Sequence, residues 1–244
     1  MGQEEKLIEE LDKAKNCRIE KIDKINKESG KDFPTSSQGP NRSGKMSVHK
    51  PNCTLRLDMA KQQFEMAKSQ KEMKGIKDIE NLVNEFLDEL DLDRVDNPIR
   101  ELKDEVLNAK FYKDLFCHEM GDCRDIVWIK FTQEGHVGVV AKGADINFCY
   151  PPNEFRYHDK EVMSSGREVP VYNTSGIIIH RLGLRWNTDK VLVFPLTGKG
   201  MKALRGKFEA KGLGQGTSSG KIETGIGDYL ITKGVPILDF YSHM

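Results

Sequence analysis

Long hydrophobic runs are missing from this sequence of 244 residues. No stretch reaches the roughly 18–20 consecutive apolar residues that a membrane-spanning helix needs, so the sequence excludes such a helix. A mean hydropathy of −0.57 predicts a soluble protein with a polar surface. The segment Met1–Lys6 lacks the apolar core of a secretory signal, and Lys6 stands where a myristoylation signal has Ser or Thr.

Cysteine is also scarce, with five residues at irregular positions. An odd and irregular set does not make a disulfide framework, so we expect a reducing compartment, the cytoplasm. A zinc site is an alternative use of some of these thiols, but the spacing matches no compact zinc signature. Its candidate ligands are Cys117, His118 and Cys123, with His49, Cys53 or Cys149 as a distant fourth.

A net excess of charge is absent, because two segments of opposite charge cancel. Residues 75–105 hold eleven Asp or Glu against four Lys or Arg, a net charge of −7. Residues 177–221 hold nine Lys or Arg against two Asp or Glu, a net charge of +7. The basic tract is either a solvated face or a surface that meets phosphates, since Lys and Arg supply most non-specific affinity for nucleic acid.

The N-terminal half has helical patterns and the C-terminal half has strand patterns, which predicts an α+β protein with a mixed sheet and few helices in its second half. Heptad positions in the first helix are interrupted by Lys15 and Arg18, so we expect a surface or weakly coiled helix. Pro98 is placed to begin a further helix that runs to about Phe116. The predicted divisions are a charged helix at 1–30, a linker or mobile loop at 31–52, a helical region at 53–116 and a mixed-sheet domain at 117–244.

Short apolar runs after residue 125 predict the strands of that sheet. The first two are joined by Thr132–Gly135 and predict a hairpin. A helix is expected at Ile222–Lys233. The predicted strands are Ile126–Phe131, His136–Ala141, Ile146–Tyr150, Val169–Tyr172, Ile177–Trp186, Val191–Leu196, Lys207–Lys211 and Val235–Phe240.

Asp189, Glu209 and Lys211 form the constellation with the clearest chemistry. Asp189 opens one apolar run, and Glu209 and Lys211 lie two residues apart, so their side chains leave the same face of a strand. Two carboxylates on adjacent strands present hard oxygen ligands to Mg²⁺, which lowers the pKa of a bound water and neutralises phosphoryl oxygens. The alternative is an exposed Glu–Lys pair without function.

This arrangement resembles the PD-(D/E)XK nuclease core over about residues 176–240. Thr188 stands where that family often has proline. The resemblance implies a metal-dependent endonuclease, with Asp189 and Glu209 on Mg²⁺ and Lys211 on the reacting phosphate. It also implies a nucleic-acid partner, for which DNA is favoured over RNA. The residues expected to grip the nucleic-acid backbone are Arg181, Arg185, Lys199, Lys202, Arg205, Lys207 and Lys221.

Two other functions remain open at this point. The apolar stripe within the acidic segment 75–105 needs a surface to bury it, either the chain's own sheet domain or a second copy of the helical region. We expect a homodimer, because a dimer would place two cutting sites across a duplex. One alternative is therefore a non-enzymatic oligomeric interaction protein that uses its acidic helical face. The other is a nucleotide or cyclic-oligonucleotide binder that uses the glycine-rich loop Gly212–Lys221, although this loop lacks the residues of a Walker A motif.

Overall fold

The computed structural model describes residues 3–35, 51–92, 99–101, 126–143, 161–162, 168–169, 174–196, 198–210, 212 and 217–243. These residues form a mixed α+β structure. The helices are α1 (Gln3–Ser29), α2 (Pro51–Ser69), α3 (Ile76–Glu89), α4 (Thr174–Arg181), α5 (Gly198–Ala210) and α6 (Thr217–Thr232). The strands are β1 (Ile99–Glu101), β2 (Ile126–Thr132), β3 (Val137–Gly143), β4 (Glu161–Val162), β5 (Glu168–Val169) and β6 (Trp186–Pro195).

The main sheet has the strand order β1-β6-β2-β3, and each neighbouring pair is antiparallel. Ile129 of β2 lies opposite Leu192 on one side and Val140 on the other. Both central strands are buried on both faces, through residues 126–129 and 191–194, because helices pack against the two sides. The predicted hairpin of β2 and β3 and the predicted strand at Val191–Leu196 are confirmed. A separate two-stranded sheet pairs β4 with β5.

Helix α6 lies at the centre of the larger helical layer and packs against α1, α3, α5 and the sheet. Gly225 allows this close approach, since a Cβ there would lie 2.4 Å from Leu11 of α1 and 3.2 Å from Phe86 of α3. The ring of Phe86 stacks on Tyr229 at 4.6 Å between centroids. The apolar stripe of α3 is therefore covered within the chain and needs no second copy to bury it.

Helix α1 belongs to the core, contrary to the prediction of a surface or weakly coiled helix. Leu7 and Ile22 lie in one hydrophobic cluster with Val127 of the sheet. Arg18, which interrupts the heptad, is buried and forms an ion pair with Asp228 of α6 at 2.6 Å. A charged residue at a heptad position is thus compatible with burial when a partner helix supplies the opposite charge.

The C-terminal segment, residues 233–243, runs beside the exposed edge of β3. The backbone N–H of Leu238 donates to Val137 and that of Asp239 donates to Gly138, each at 2.9 Å. The predicted strand at Val235–Phe240 is therefore reduced to a single parallel bridge between Val137 and Ile237, within a series of turns. The segment covers hydrogen-bonding groups that an edge strand otherwise leaves open.

Two predicted strands are helices in the structure, and a predicted helix begins as a strand. Residues 177–181 belong to α4, where packing of Ile179 against the sheet overrides the strand propensity of the isoleucine run. Residues 207–210 belong to α5, whose stripe of Met201, Leu204 and Phe208 has helical spacing. Ile99–Glu101 pair with β6 rather than continuing a helix from Pro98.

Candidate functional site

The three residues of the predicted nuclease centre are not placed on adjacent strands. Asp189 lies exposed in β6, where its backbone N–H donates to the Asn187 carboxamide at 2.8 Å. Glu209 lies exposed in the last turn of α5, not on a strand, and Lys211 is outside the described residues. Within the described ranges, no group of three or more His, Cys, Asp or Glu is arranged to hold a metal ion. Nuclease activity and Mg²⁺ binding stay predictions.

The basic tract is distributed over different parts of the fold. Arg185 lies at the β2–β3 turn, where its carbonyl accepts a hydrogen bond from the N–H of Gln133. The first turn of α5 lies elsewhere, where the N–H of Gly200 donates to the carbonyl of Asp91. These positions flank the ten residues of β6, which span roughly 30 Å at about 3.3 Å per residue. Helices α4 and α5 also pack on opposite faces of the sheet. The exposed members are Arg181, Arg185, Lys199, Lys202 and Lys221, and the half-buried members are Arg205 and Lys207.

The other predicted sites are only partly described. Residues 217–221 of the glycine-rich segment form the first turns of α6 rather than a loop. This helix begins five residues before the predicted start because its buried serines, Ser218 and Ser219, extend the packed face of α6. Of the zinc candidates, Cys53 lies in α2. His49, Cys117, His118, Cys123 and Cys149 lie outside the described residues.

A cavity of about 300 Å³ lies between α1, α2 and the end of α6. We call it the α1–α2 cavity. Its walls are largely apolar and its polar groups come from the two helices. The lining residues are Lys21, Lys24, Ile25 and Glu28 of α1, Gln63 and Met66 of α2, Ile231 of α6, and Gly234, Val235 and Phe240 of the C-terminal segment.

Gln63 is the buried polar group of this cavity, with only 3% of its surface exposed. Its Nε2 atom lies 3.6 Å from the Met59 sulfur and 3.9 Å from the Met66 sulfur. Thioether sulfur is a weak acceptor. Since no stronger hydrogen bond to this carboxamide is formed within the described part of the chain, Gln63 retains most of its hydrogen-bonding capacity beside the cavity.

Lys21 is the second polar group, and it is half-buried. Its ammonium donates to the carbonyl of Ile231 in the last turn of α6. Desolvation by burial lowers the pKa of Lys21, and the Cys17 thiol opposes that shift. At the mouth of the cavity, Lys24 and Glu28 form an exposed ion pair at 3.8 Å.

The inner wall of the cavity is held by buried polar contacts of the C-terminal segment. Arg56 donates to both carboxylate oxygens of Asp239, at 2.7 and 2.6 Å, and Ser175 donates to the same carboxylate at 2.5 Å. Gln70 donates to the carbonyl of Gly234 at 2.6 Å. These contacts fix the segment that carries Val235 and Phe240 into the wall, so the cavity is preformed rather than created by a mobile tail.

In comparisons with known proteins, no family model, no curated protein and no solved structure matches this chain. None of the helices in the described part of the chain is long and apolar enough to cross a membrane. Function is therefore inferred from the residues of this chain. The sequence gives little signal for the α1–α2 cavity, because Lys21 and Gln63 are ordinary polar residues within helical patterns.

Proposed function

We propose that this protein binds a small, mainly apolar molecule in the α1–α2 cavity. The cavity itself is the observation that carries the proposal. Ligand pockets in proteins measure about 300–1,000 Å³ and combine apolar walls with a few polar groups. The volume of about 300 Å³ lies at the lower end of that range, and it is about twice the 150 Å³ of an apolar cavity that accepts benzene.

The lining residues favour ligand binding over catalysis. Among those that are described, the polar members are Lys21, Lys24, Glu28 and Gln63, without a serine, cysteine or histidine. Nucleophilic catalysis requires a nucleophile within reach of a base. A carboxamide and an ammonium beside apolar walls instead suit recognition of one polar end of a ligand.

The experiment uses the methionine methyl groups as local reporters. Protein labelled with ¹³C at these methyls is titrated with octan-1-ol and with octanoate, and each signal is followed by NMR. Met66 lines the cavity and is 38% exposed, whereas Met73 is 46% exposed and does not line it. We expect the Met66 methyl signal to move on titration and the Met73 signal to stay in place.

Two matched substitutions complete the test. Met66→Trp places an indole at the cavity mouth and is expected to abolish binding, whereas Met73→Trp makes the same change at another exposed position and is expected to preserve it. Unchanged binding in Met66→Trp would contradict the assignment of the site. Failure of both compounds to move the Met66 signal at millimolar concentration would contradict the proposed function.

A further inference from the structure

Lys21 has no carboxylate partner within the described residues, in contrast to the exposed Lys24 and Lys233. Lys24 contacts Glu28 at 3.8 Å, and Lys233 contacts Glu85 at 2.8 Å. These lysines are exposed, where an ion pair adds little. Lys21 is half-buried, and its contact within the described residues is a backbone carbonyl. A counter-ion therefore matters more for Lys21 than for these exposed lysines, yet Lys21 has none within the described residues.

The helix end accounts for part of this placement. The last carbonyls of a helix carry partial negative charge, so Lys21 is favoured at the end of α6. An ammonium has three donors, however, and the carbonyl of Ile231 takes one of them. The remaining donors have no protein acceptor in the described chain, and Lys21 lines the α1–α2 cavity. A ligand oxygen in the cavity would satisfy them.

Gln63 also favours a ligand oxygen that accepts hydrogen bonds. Its amide N–H groups lie near thioether sulfurs that accept hydrogen bonds weakly. A carboxylate oxygen is a much stronger acceptor, because hydrogen bonds to charged groups are about twice as strong as neutral ones. The described lining residues include no arginine, the residue best suited to bidentate contact with phosphate. Lys24 of the lining is paired with Glu28, so the ammonium of Lys21 is left to match a single negative charge.

We infer that the α1–α2 cavity binds a monocarboxylate carried on an aliphatic or aromatic chain. Lys21 and Gln63 contact the carboxylate, and the apolar walls, which include Ile25, Ile231 and Phe240, enclose the chain. This inference rests on the proposed function and adds the charge and the head group of the ligand to it.

The test compares head groups on one alkyl chain by isothermal titration calorimetry at neutral pH. Wild-type protein is titrated with octanoate, octan-1-ol and octylamine. A charge-assisted contact is worth roughly tenfold in affinity, so octanoate is expected to bind about tenfold more tightly than octan-1-ol. Octylamine, whose ammonium faces that of Lys21, is expected to bind most weakly.

Lys21→Met removes the charge and keeps an apolar chain of similar length. We expect this variant to lose about tenfold in octanoate affinity and to bind octan-1-ol within about twofold of wild type. Lys27→Met is the matched control, because it removes an exposed ammonium from the same helix at a position that does not line the cavity. It is expected to change neither affinity by more than about twofold.

The outcomes separate the inference from the proposed function. Equal binding of octanoate and octan-1-ol by the wild type would overturn the carboxylate inference and leave the binding function standing. Equal losses in Lys21→Met and Lys27→Met would overturn the role of Lys21, since surface charge would then explain the preference. Binding of none of the three compounds would overturn both. The head-group comparison uses wild-type protein and remains decisive if Lys21→Met fails to fold.

Discussion

Arg18→Met is expected to be among the most destabilising single changes in α1. Its guanidinium Nε lies 2.6 Å from Asp228 Oδ1, and the two side chains are only 3% and 1% exposed. Removing the cation leaves a buried carboxylate whose other neighbour is His243, at 3.3 Å. Breaking a buried ion pair in this way costs about 3–5 kcal/mol. For a protein of 150–250 residues this corresponds to a fall of roughly 6–20 °C in Tm.

Urea unfolding measures this cost, because both tryptophans, Trp128 and Trp186, are buried and report unfolding by fluorescence. The double variant Arg18→Met/Asp228→Leu removes both charges and is expected to recover most of the lost stability, since an apolar pair often replaces a buried ion pair at little cost. Lys24→Met is the control, because its exposed pair is worth about 0–1 kcal/mol. A loss below about 1 kcal/mol in Arg18→Met, or additive losses in the double variant, would refute the argument.

Three further predictions concern packing, the predicted nuclease centre and pH. Gly227→Ala is expected to lower the free energy of unfolding by about 1–3 kcal/mol, because the new Cβ would lie 2.2 Å from His243. Its control, Gly206→Ala, places a Cβ with no described atom within 4 Å. This control is expected to raise the free energy of unfolding by about 0.5–1 kcal/mol in the same urea assay. Glu209→Gln is expected to leave the free energy of unfolding within about 0.5 kcal/mol of wild type, because the side chain is exposed. If the wild type cleaves DNA in the presence of Mg²⁺ and this variant does not, that result would support the nuclease prediction. Burial raises the pKa of Tyr229 to about 12. The contribution of the neutral phenol to folding stability is therefore complete below about pH 10 and is lost as the pH rises through about 12. Ultraviolet titration of Tyr229→Phe should show one fewer late-ionising phenol than wild type.

The parts of the fold that the sequence predicts are those with a strong local pattern. The β2–β3 hairpin follows from two apolar runs joined by a turn with Gly135, whose φ of +91° suits glycine. The failures occur where tertiary packing decides the local structure. Ile178 and Ile179 have strand propensity but are fully buried on a helix, and propensity differences are small beside the burial of such side chains.

The candidate site is harder to predict because distant parts of the chain build it. Lys21 and Gln63 lie on different helices, and Phe240 comes from the other end of the sequence. Helical periodicity places Ile22 inside and says nothing about the space that opens beside Lys21. The predicted nuclease centre depended on a strand at Glu209, and it loses that context when the residue proves to be helical.

The α1–α2 cavity combines a fixed inner wall with an accessible mouth. Asp239 ties the wall to Arg56 through two hydrogen bonds. Arg18 donates to the carbonyl of Thr35 and forms an ion pair with Asp228, and that ion pair joins α1 to α6. At the mouth, Met66 is partly exposed and has the most flexible kind of apolar side chain. A ligand bound as proposed would enter past an adaptable side chain and meet walls that are already ordered. Such binding would lose little conformational entropy, which would favour affinity for a small molecule despite the modest volume of the cavity.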